Sequence, residues 1–264
     1  MVDESNNDVK KRQTIKSWNR PDGPLNIWRI IEGEEHQNDG TKKKIKFSIQ
    51  DIPEEHYQDV IKHMCDYFVA DEVTCQCSKI KDDEEALNDF RILWDYLLKI
   101  GISVAAYKLD SNNQIQELAG VNILFPVTDE IEEAIENFMK NFKSQGSRKI
   151  FEFMHDLNEK APDVRDIYKV DTYISALGLS VHPNFRGQKL GVRLLESRTD
   201  IGRKYGLTAT STAFTAPASQ IQAERAGFET VFEQDYASVL DDEGSLIFPN
   251  IKSKSVKIMI KKLN

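Results

Sequence analysis

The sequence has little cysteine and little histidine, with three Cys and five His among 264 residues. Cys65, Cys75 and Cys77 are too few and too oddly numbered for a disulfide framework, so they read as reduced thiols. Cys75 and Cys77 share a CxC spacing, but no Cys/His pair elsewhere completes a four-ligand zinc site. The histidines show no HExxH or similar spacing, and no metal is expected. Nowhere do about 18 apolar residues run together, which argues against a membrane-spanning helix. Met1 to Arg20 is polar and lacks the apolar core of a secretory signal, so a cytoplasmic location is expected. An excess of basic residues is also missing. Lys and Arg number 35 against 43 Asp and Glu, a formal net charge of −8. Nucleic-acid binding needs a basic face, so nucleic acid is not an expected partner. Neither GxGxxG nor GxxxxGK[ST] occurs, which disfavours a dinucleotide fold and a P-loop.

What is present is a mixture of strand and helix signals without strict alternation, which predicts an α/β fold with a mixed sheet. There is no internal repeat, and one domain over 25–264, acting as a monomer, is the economical reading after a flexible polar N-terminus over 1–24. Asn26–Ile31 and Lys44–Ile49 read as short strands, with the charged EGEEHQNDGTKK between them as a solvated loop. After Pro53, Val60, Met64, Tyr67 and Phe68 recur at helical spacing and predict a helix of about four turns. A second helix is expected over Asp83–Ile100, stopped by Gly101. Ile102–Leu109 and Ile115–Phe125 read as a hairpin. Residues 126–169 form a charged helical insertion, with helices near Glu130–Phe142 and Arg148–Glu159. A long strand follows over Val170–Val181, then a helix over Gln188–Tyr205 and a strand over Leu207–Phe214. The remaining elements are a short helix over Pro217–Ala226 and two closing strands, Phe228–Tyr236 and Val256–Ile260.

The segment Leu177–Glu196 carries the strongest chemical signal. A buried strand ends at Val181, passes a Pro-containing turn and enters a helix at Arg186-Gly187-Gln188-Lys189-Leu190-Gly191. Backbone N–H groups at such a helix start bind anions, the two glycines allow close approach, and Arg186 and Lys189 add charge. A pyrophosphate fits this turn.

On these residues the chain resembles the GNAT superfamily of acyl-CoA-dependent N-acetyltransferases, whose pyrophosphate motif Arg/Gln-x-x-Gly-x-Gly/Ala is matched from Arg186 to Gly191. Lys189 stands where the family has its middle glycine. The preceding strand, the following helix and the later helix ending in Ala226-Gly227-Phe228 match the family order. Within the superfamily the chain is similar to the insect arylalkylamine N-acetyltransferases, which share a Phe-x-x-Asp-Glu matched here by Phe68–Glu72. That group continues with Pro-Leu, this chain with Val73-Thr74.

The resemblance implies a GNAT fold, acetyl-CoA as co-substrate, a small amine as partner and direct attack of the amine on the thioester. An alkylamine is almost fully protonated at pH 7, so the reaction needs a base. Glu72 is matched to that role, acting through water. The resemblance places backbone N–H donors for the developing oxyanion where the long strand bulges, around Leu179, Ser180 and Val181, and pairs the same strand with the pantetheine. It gives the pyrophosphate to Arg186, Gly187, Gln188, Lys189, Leu190 and Gly191. The tyrosine that many members use as thiolate acid is Ala223 here, and the hydroxyls matched to thiolate departure are Ser219, which would also face the cofactor, and Thr215. Phe138, Phe142, Phe151 and Phe153, with Tyr173, are candidates to line an aromatic acceptor pocket. Arylalkylamines such as dopamine, serotonin, octopamine and tryptamine are the expected acceptors. A polyamine or agmatine acceptor, a longer acyl donor and an acyl-CoA-binding protein without turnover stay open.

Overall fold

A computed structural model describes residues 15–36 and 40–263. The chain opens with β1 (Ile27–His36) and β2 (Lys42–Asp51). The loop expected over 32–43 is therefore mostly strand. Register explains why: Glu32 faces Lys46, Glu34 faces Lys44 and Glu35 faces Lys43. Opposite charges across the ladder favour pairing, although their composition reads as a solvated loop.

The helix after Pro53 is built in pieces: a 3₁₀ turn (Glu54–His56), α1 (Tyr57–His63), a π turn (Met64–Phe68) and α2 (Val69–Asp71). Then come α3 (Val73–Cys77), α4 (Glu84–Lys99), β3 (Val104–Leu109) and β4 (Ile115–Pro126). Asp83 caps α4 by accepting from the Ala86 N–H, and Gly101 follows in the left-handed region at φ 83°. The insertion holds α5 (Asp129–Asn141), α6 (Gln145–Lys160) and a short α7 (Val164–Tyr168) that five residues of weak pattern did not announce. The chain ends with β5 (Ile174–Val181), α8 (Leu190–Tyr205), β6 (Ala209–Phe214), α9 (Pro217–Arg225), β7 (Glu229–Asp235) and β8 (Ser255–Lys262).

The eight strands form one sheet in the order β1-β2-β3-β4-β5-β6-β8-β7. Neighbours are antiparallel except β5 and β6, which run parallel and share a single register point, Ile174 opposite Thr210. One face of the sheet is covered by α1, α4 and α6, with Trp94 and Leu97 wholly buried against Val121 and Ile123. The other is covered by α8, whose Leu190, Leu194 and Ile201 pack on Phe47, Ile49 and Leu124. Truncating a side chain as deeply buried as Trp94 to alanine costs about 3–5 kcal/mol.

Residues 1–14 of the expected flexible N-terminus lie outside the described residues. The rest of it is docked: Trp18 meets Tyr205 edge-on at 5.8 Å, and Arg20 donates to Asp51 (2.8 Å) and Tyr205 (2.9 Å). Asp51, nearly inaccessible, also accepts from the Asn26 backbone and the Trp28 indole. A polar stretch here is a strap tied to a buried carboxylate.

Candidate active site

The site forms where β5 and β6 part. Beyond Ile174 no β6 residue pairs with β5 among the described residues. Residues 175–179 and Val181 are accordingly half-buried in the middle of the sheet. The hydrogen-bond phase fixes which groups face the gap. The His182 N–H donates to the Ala119 carbonyl (2.9 Å), and registers of Gly120 with Val181, Val121 with Ser180 and Asn122 with Leu179 follow. In an antiparallel ladder bonded and non-bonded pairs alternate, so Leu179 and Val181 turn their N–H and C=O groups away from β4 and into the gap. Both belong to the expected cofactor strand, and their side chains pack on the α8 face.

The bulge itself lies earlier than the expected span Leu179–Val181. Register slips between Asn122 and Leu124 on β4 and between Leu179 and Ala176 on β5, which puts the extra residue at Leu177-Gly178. Gly178 has φ 111°, and a Cβ there would sit 2.4 Å from Met64 Cε. Only glycine allows both that backbone and the approach of the π turn. The Leu177 carbonyl accepts from Trp94 Nε1 (3.1 Å) and the Gly178 carbonyl from Asn122 Nδ2 (2.9 Å).

The turn after β5 is anchored on three sides. Arg186 ion-pairs with Asp71 and donates from Nε to the Val181 carbonyl at 3.2 Å. Gln188 clamps the Glu34 backbone, accepting from its N–H at 3.0 Å and donating to its carbonyl. Gly187 (φ 85°) and Lys189 (φ 61°) are both left-handed, and Lys189 caps α8. Lys189 thus takes the conformation that suits the glycine it replaces, at the strain cost of a side chain. It is exposed and makes no ion pair with a described residue. Leu190 is buried core, so its backbone N–H is what it offers. Gly191 faces α9, where a Cβ would collide with the Gln222 side chain.

Glu72 ends the first helix in extended backbone (ψ 127°) and caps α3. Its Oε2 accepts from the Cys75 N–H (2.7 Å) and from the Thr74 hydroxyl (2.6 Å), while Oε1 is buried with no partner among the described residues. Thr74, where the resembled group has leucine, supplies one of the two bonds that hold the carboxylate. Four residues earlier, Phe68 packs against Gly178. The Tyr236 phenol is pushed up by burial and then by the nearby Glu72 charge, and donates to the Thr215 carbonyl at 3.2 Å. Tyr236 thereby links Glu72 to the start of α9.

Ser219 is committed elsewhere. Its hydroxyl donates to the Ala216 carbonyl (2.8 Å) and accepts from the Ala216 N–H (3.4 Å), closing the first turn of α9. The Thr215 hydroxyl makes no hydrogen bond with a described residue, and the residue is half-buried. The expected aromatic pocket is not assembled. Phe142 and Phe151 meet edge-to-face, Phe153 packs on Tyr236 and Phe248, and all three are nearly inaccessible. Phe138 pairs with Tyr96 in a groove between α4 and α5. Tyr173 lies under Arg165. Three of the four phenylalanines at helical spacing are core here.

Sequence reading missed a polar cluster between the π turn and β5. His63 Nε2 lies 3.0 Å from Ser180 Oγ, and His182 Nε2 lies 3.0 Å from the Tyr67 hydroxyl. His182 Nδ1 accepts from the Asn184 N–H, so its proton sits on Nε2 and is donated to Tyr67. Burial, and to a smaller extent the neighbouring His182 imidazole, push the His63 pKa down to about 4. Ser180 therefore has a side-chain partner in addition to its main chain. Among the described residues no three His, Cys, Asp or Glu side chains come together as a metal site.

A strand with one free edge, bulged at a glycine, runs into an anion-ready turn within a mixed, mostly antiparallel sheet. The chain has the GNAT fold. No protein-family model matches it and no curated protein matches its sequence. Solved structures do. A mosquito protein from Aedes aegypti named arylalkylamine N-acetyltransferase 7 matches with a TM-score of 0.82 and 28% identity, over 94% of this chain and 100% of that one. Arylalkylamine N-acetyltransferase 2 from the same species matches at 0.72 and 26%, over 83% and 99%. A Drosophila melanogaster polyamine N-acetyltransferase shares the fold at 0.66 and 17%, over 82% and 100%. The likeness to the two mosquito proteins supports an acyl-CoA-dependent N-acetyltransferase.

Proposed function

We propose that this protein of GNAT fold is a cytoplasmic enzyme that transfers the acetyl group of acetyl-CoA to a small primary amine of the arylalkylamine class, by direct base-assisted attack. The observation that carries the reading is the Glu72 carboxylate: one oxygen is pinned by Cys75 and Thr74, and the other is buried and unpartnered. A buried polar atom normally has a partner, and a site waiting for a cationic amine or a bridging water explains the exception.

The residues present fit the co-substrate. Leu179 and Val181 turn backbone N–H groups into the gap as an added strand would require, and the turn at Arg186–Gly191 with the first N–H groups of α8 offers the anion site. Acetyl-CoA, when bound, supplies the activated acyl group. Glu72 takes the proton from the ammonium through water, leaving the free amine as nucleophile. The Leu179 N–H meets the negative charge that develops on the carbonyl oxygen. Thr215, whose hydroxyl is uncommitted, is the donor toward the departing thiolate, and Ser219 can join only by giving up its bond to Ala216. A thiol of pKa near 8.5 leaves readily, so this assistance is small.

Release of free CoA, followed with a thiol reagent over a panel of tryptamines, phenylethylamines, agmatine and polyamines, tests the reading. CoA release that depends on an arylalkylamine is expected. Release with polyamines alone moves the acceptor class, and CoA binding without release under any amine overturns catalysis.

A further inference from the structure

Arg198 of α8 is the most deeply buried cation described, 1% exposed. It lies beneath β5, reaching from β4 on one side to β6 on the other. Nε and Nη2 donate to Asn122 Oδ1 at 3.2 and 3.0 Å, and Nη1 donates to Thr210 Oγ1 (2.9 Å) and Thr212 Oγ1 (2.7 Å). The Phe228 ring lies 5.5 Å from the guanidinium carbon. Every one of these partners is neutral, and no carboxylate pairs with Arg198 among the described residues. A buried charge of this kind is costly and is normally neutralised by an acid. Burial alone draws its pKa down, to about 9, which leaves it cationic at neutral pH.

The neutral partners lead to the reacting centre. Asn122 spends its carbonyl oxygen on two Arg198 donors, which orients its amide so that Nδ2 donates to the Gly178 carbonyl. In a trans peptide C=O and N–H point in opposite directions. Pinning the Gly178 carbonyl toward β4 therefore aims the Leu179 N–H into the gap, in agreement with the ladder phase. Thr210, held by Arg198, in turn donates to the Ile174 carbonyl at the single point where β5 and β6 meet (2.7 Å).

We propose that Arg198, acting through Asn122, is a positioning residue for acyl transfer: it locks the Gly178–Leu179 peptide with its N–H toward the acyl carbonyl and leaves an unneutralised positive charge beneath the oxygen that becomes negative. A charge placed ahead of the reaction in a buried setting needs no reorganisation when the oxyanion forms, which is the condition for transition-state stabilisation. A purely structural arginine would be served as well by an acid among its partners. The chain instead keeps acids out of this network.

The proposal rests on the acetyl-transfer reading and is tested with the full chain. Arg198→Met keeps the length and removes the charge, Arg198→Lys keeps the charge without the double bond to Asn122, and Asn122→Ala frees the Gly178 carbonyl. The expected result is a kcat about tenfold or more lower in Arg198→Met and Asn122→Ala, with a smaller loss in Arg198→Lys. CoA affinity by calorimetry is expected to stay within about threefold of wild type. The carbonyl stretch of a bound acetyl-CoA ketone analogue, lowered in wild type, is expected to return toward its solution frequency in the first two variants. A structural role predicts instead lower Tm and weaker CoA binding with an unmoved carbonyl frequency. That pattern, or folded variants with kcat within about twofold of wild type, overturns the proposal. If Arg198→Met does not fold, the kcat and carbonyl frequency of Asn122→Ala decide. A wild-type protein that neither binds CoA nor releases it from acetyl-CoA refutes the reading underneath, whatever the variants do.

Discussion

Glu72 and Ser219 stand at the starts of two short helices, α3 and α9, and both hold a helix end together, yet they are left in different chemical states. Glu72 has two oxygens and spends one on the Cys75 N–H and the Thr74 hydroxyl, leaving the other buried and free. Ser219 has one oxygen and spends it in both directions on Ala216. A capping job consumes a hydroxyl and leaves a carboxylate half-employed. Residue type at a helix start therefore says less about catalysis than the lone pairs and protons left over once the backbone is satisfied.

The largest effect is expected at Glu72. Glu72→Gln keeps the cap, because the amide oxygen still accepts from Cys75, and removes the proposed base. We expect kcat/KM to fall by ~10²–10⁴, the range for general base catalysis, with the low-pH limb of the rate profile lost. An unchanged profile would return Glu72 to the purely structural rank of Ser219. Thr74→Val, which removes one tether from the carboxylate, is expected to cost only a few-fold in kcat/KM at an unchanged Tm.

His63 extends the contrast to a group whose state is set by burial. Its folded pKa of about 4 lies below the ordinary 6.5, so the folded protein binds the proton less well than the unfolded chain. The stabilising effect is complete above pH 6.5 and is lost as the pH falls toward 4, about 3 kcal/mol in all. Denaturant melts between pH 4 and 7 check this: His63→Asn should flatten the curve, and an equally steep loss in the variant would assign the acid sensitivity elsewhere.

Much of this fold was legible. The spacing of Val60, Met64 and Phe68 gave the helix, and Gly101 gave the end of the second one. The π turn was not, because a single widened turn leaves the apolar spacing nearly intact, and yet it is what brings Met64 and Phe68 onto Gly178. The β1–β2 extension was hidden by charges that compose like a loop and pair like a ladder. Of the candidate site, Glu72 and the turn at Arg186–Gly191 were visible as motifs, whereas Asn122, Tyr236 and His63 join it through contacts distant in sequence. Arg198 did leave a signal. It falls four residues after Leu194 and three before Ile201, on the face that enters the core, where an arginine demands explanation.

Two hydroxyl substitutions separate capping from proton donation near α9. Ser219→Ala should cost about 1 kcal/mol of stability, the usual value of a lost helix-start hydrogen bond, with kcat within about threefold. Thr215→Val should leave Tm alone and lower kcat by a few-fold. The reverse pattern would make Ser219 the thiolate's partner.

The smallest effect is expected at Lys189, where cap and ligand compete within one residue. Its backbone is left-handed, at φ 61°. A side chain there costs about 1 kcal/mol relative to glycine, offset in part because glycine loses more freedom on folding. Lys189→Gly is therefore expected to raise stability by a few tenths of a kcal/mol up to about 1. The exposed ammonium, in return, is lost from the turn proposed to bind phosphate, and a partly screened contact of this sort is worth about as much. CoA affinity should fall a few-fold at low salt, and the difference from wild type should vanish as salt is raised. A variant gaining stability with no salt-dependent loss of CoA would show that the lysine does nothing for the ligand and is tolerated strain. Retention of the loss in high salt would mean that the backbone of the turn, rather than the charge, had changed.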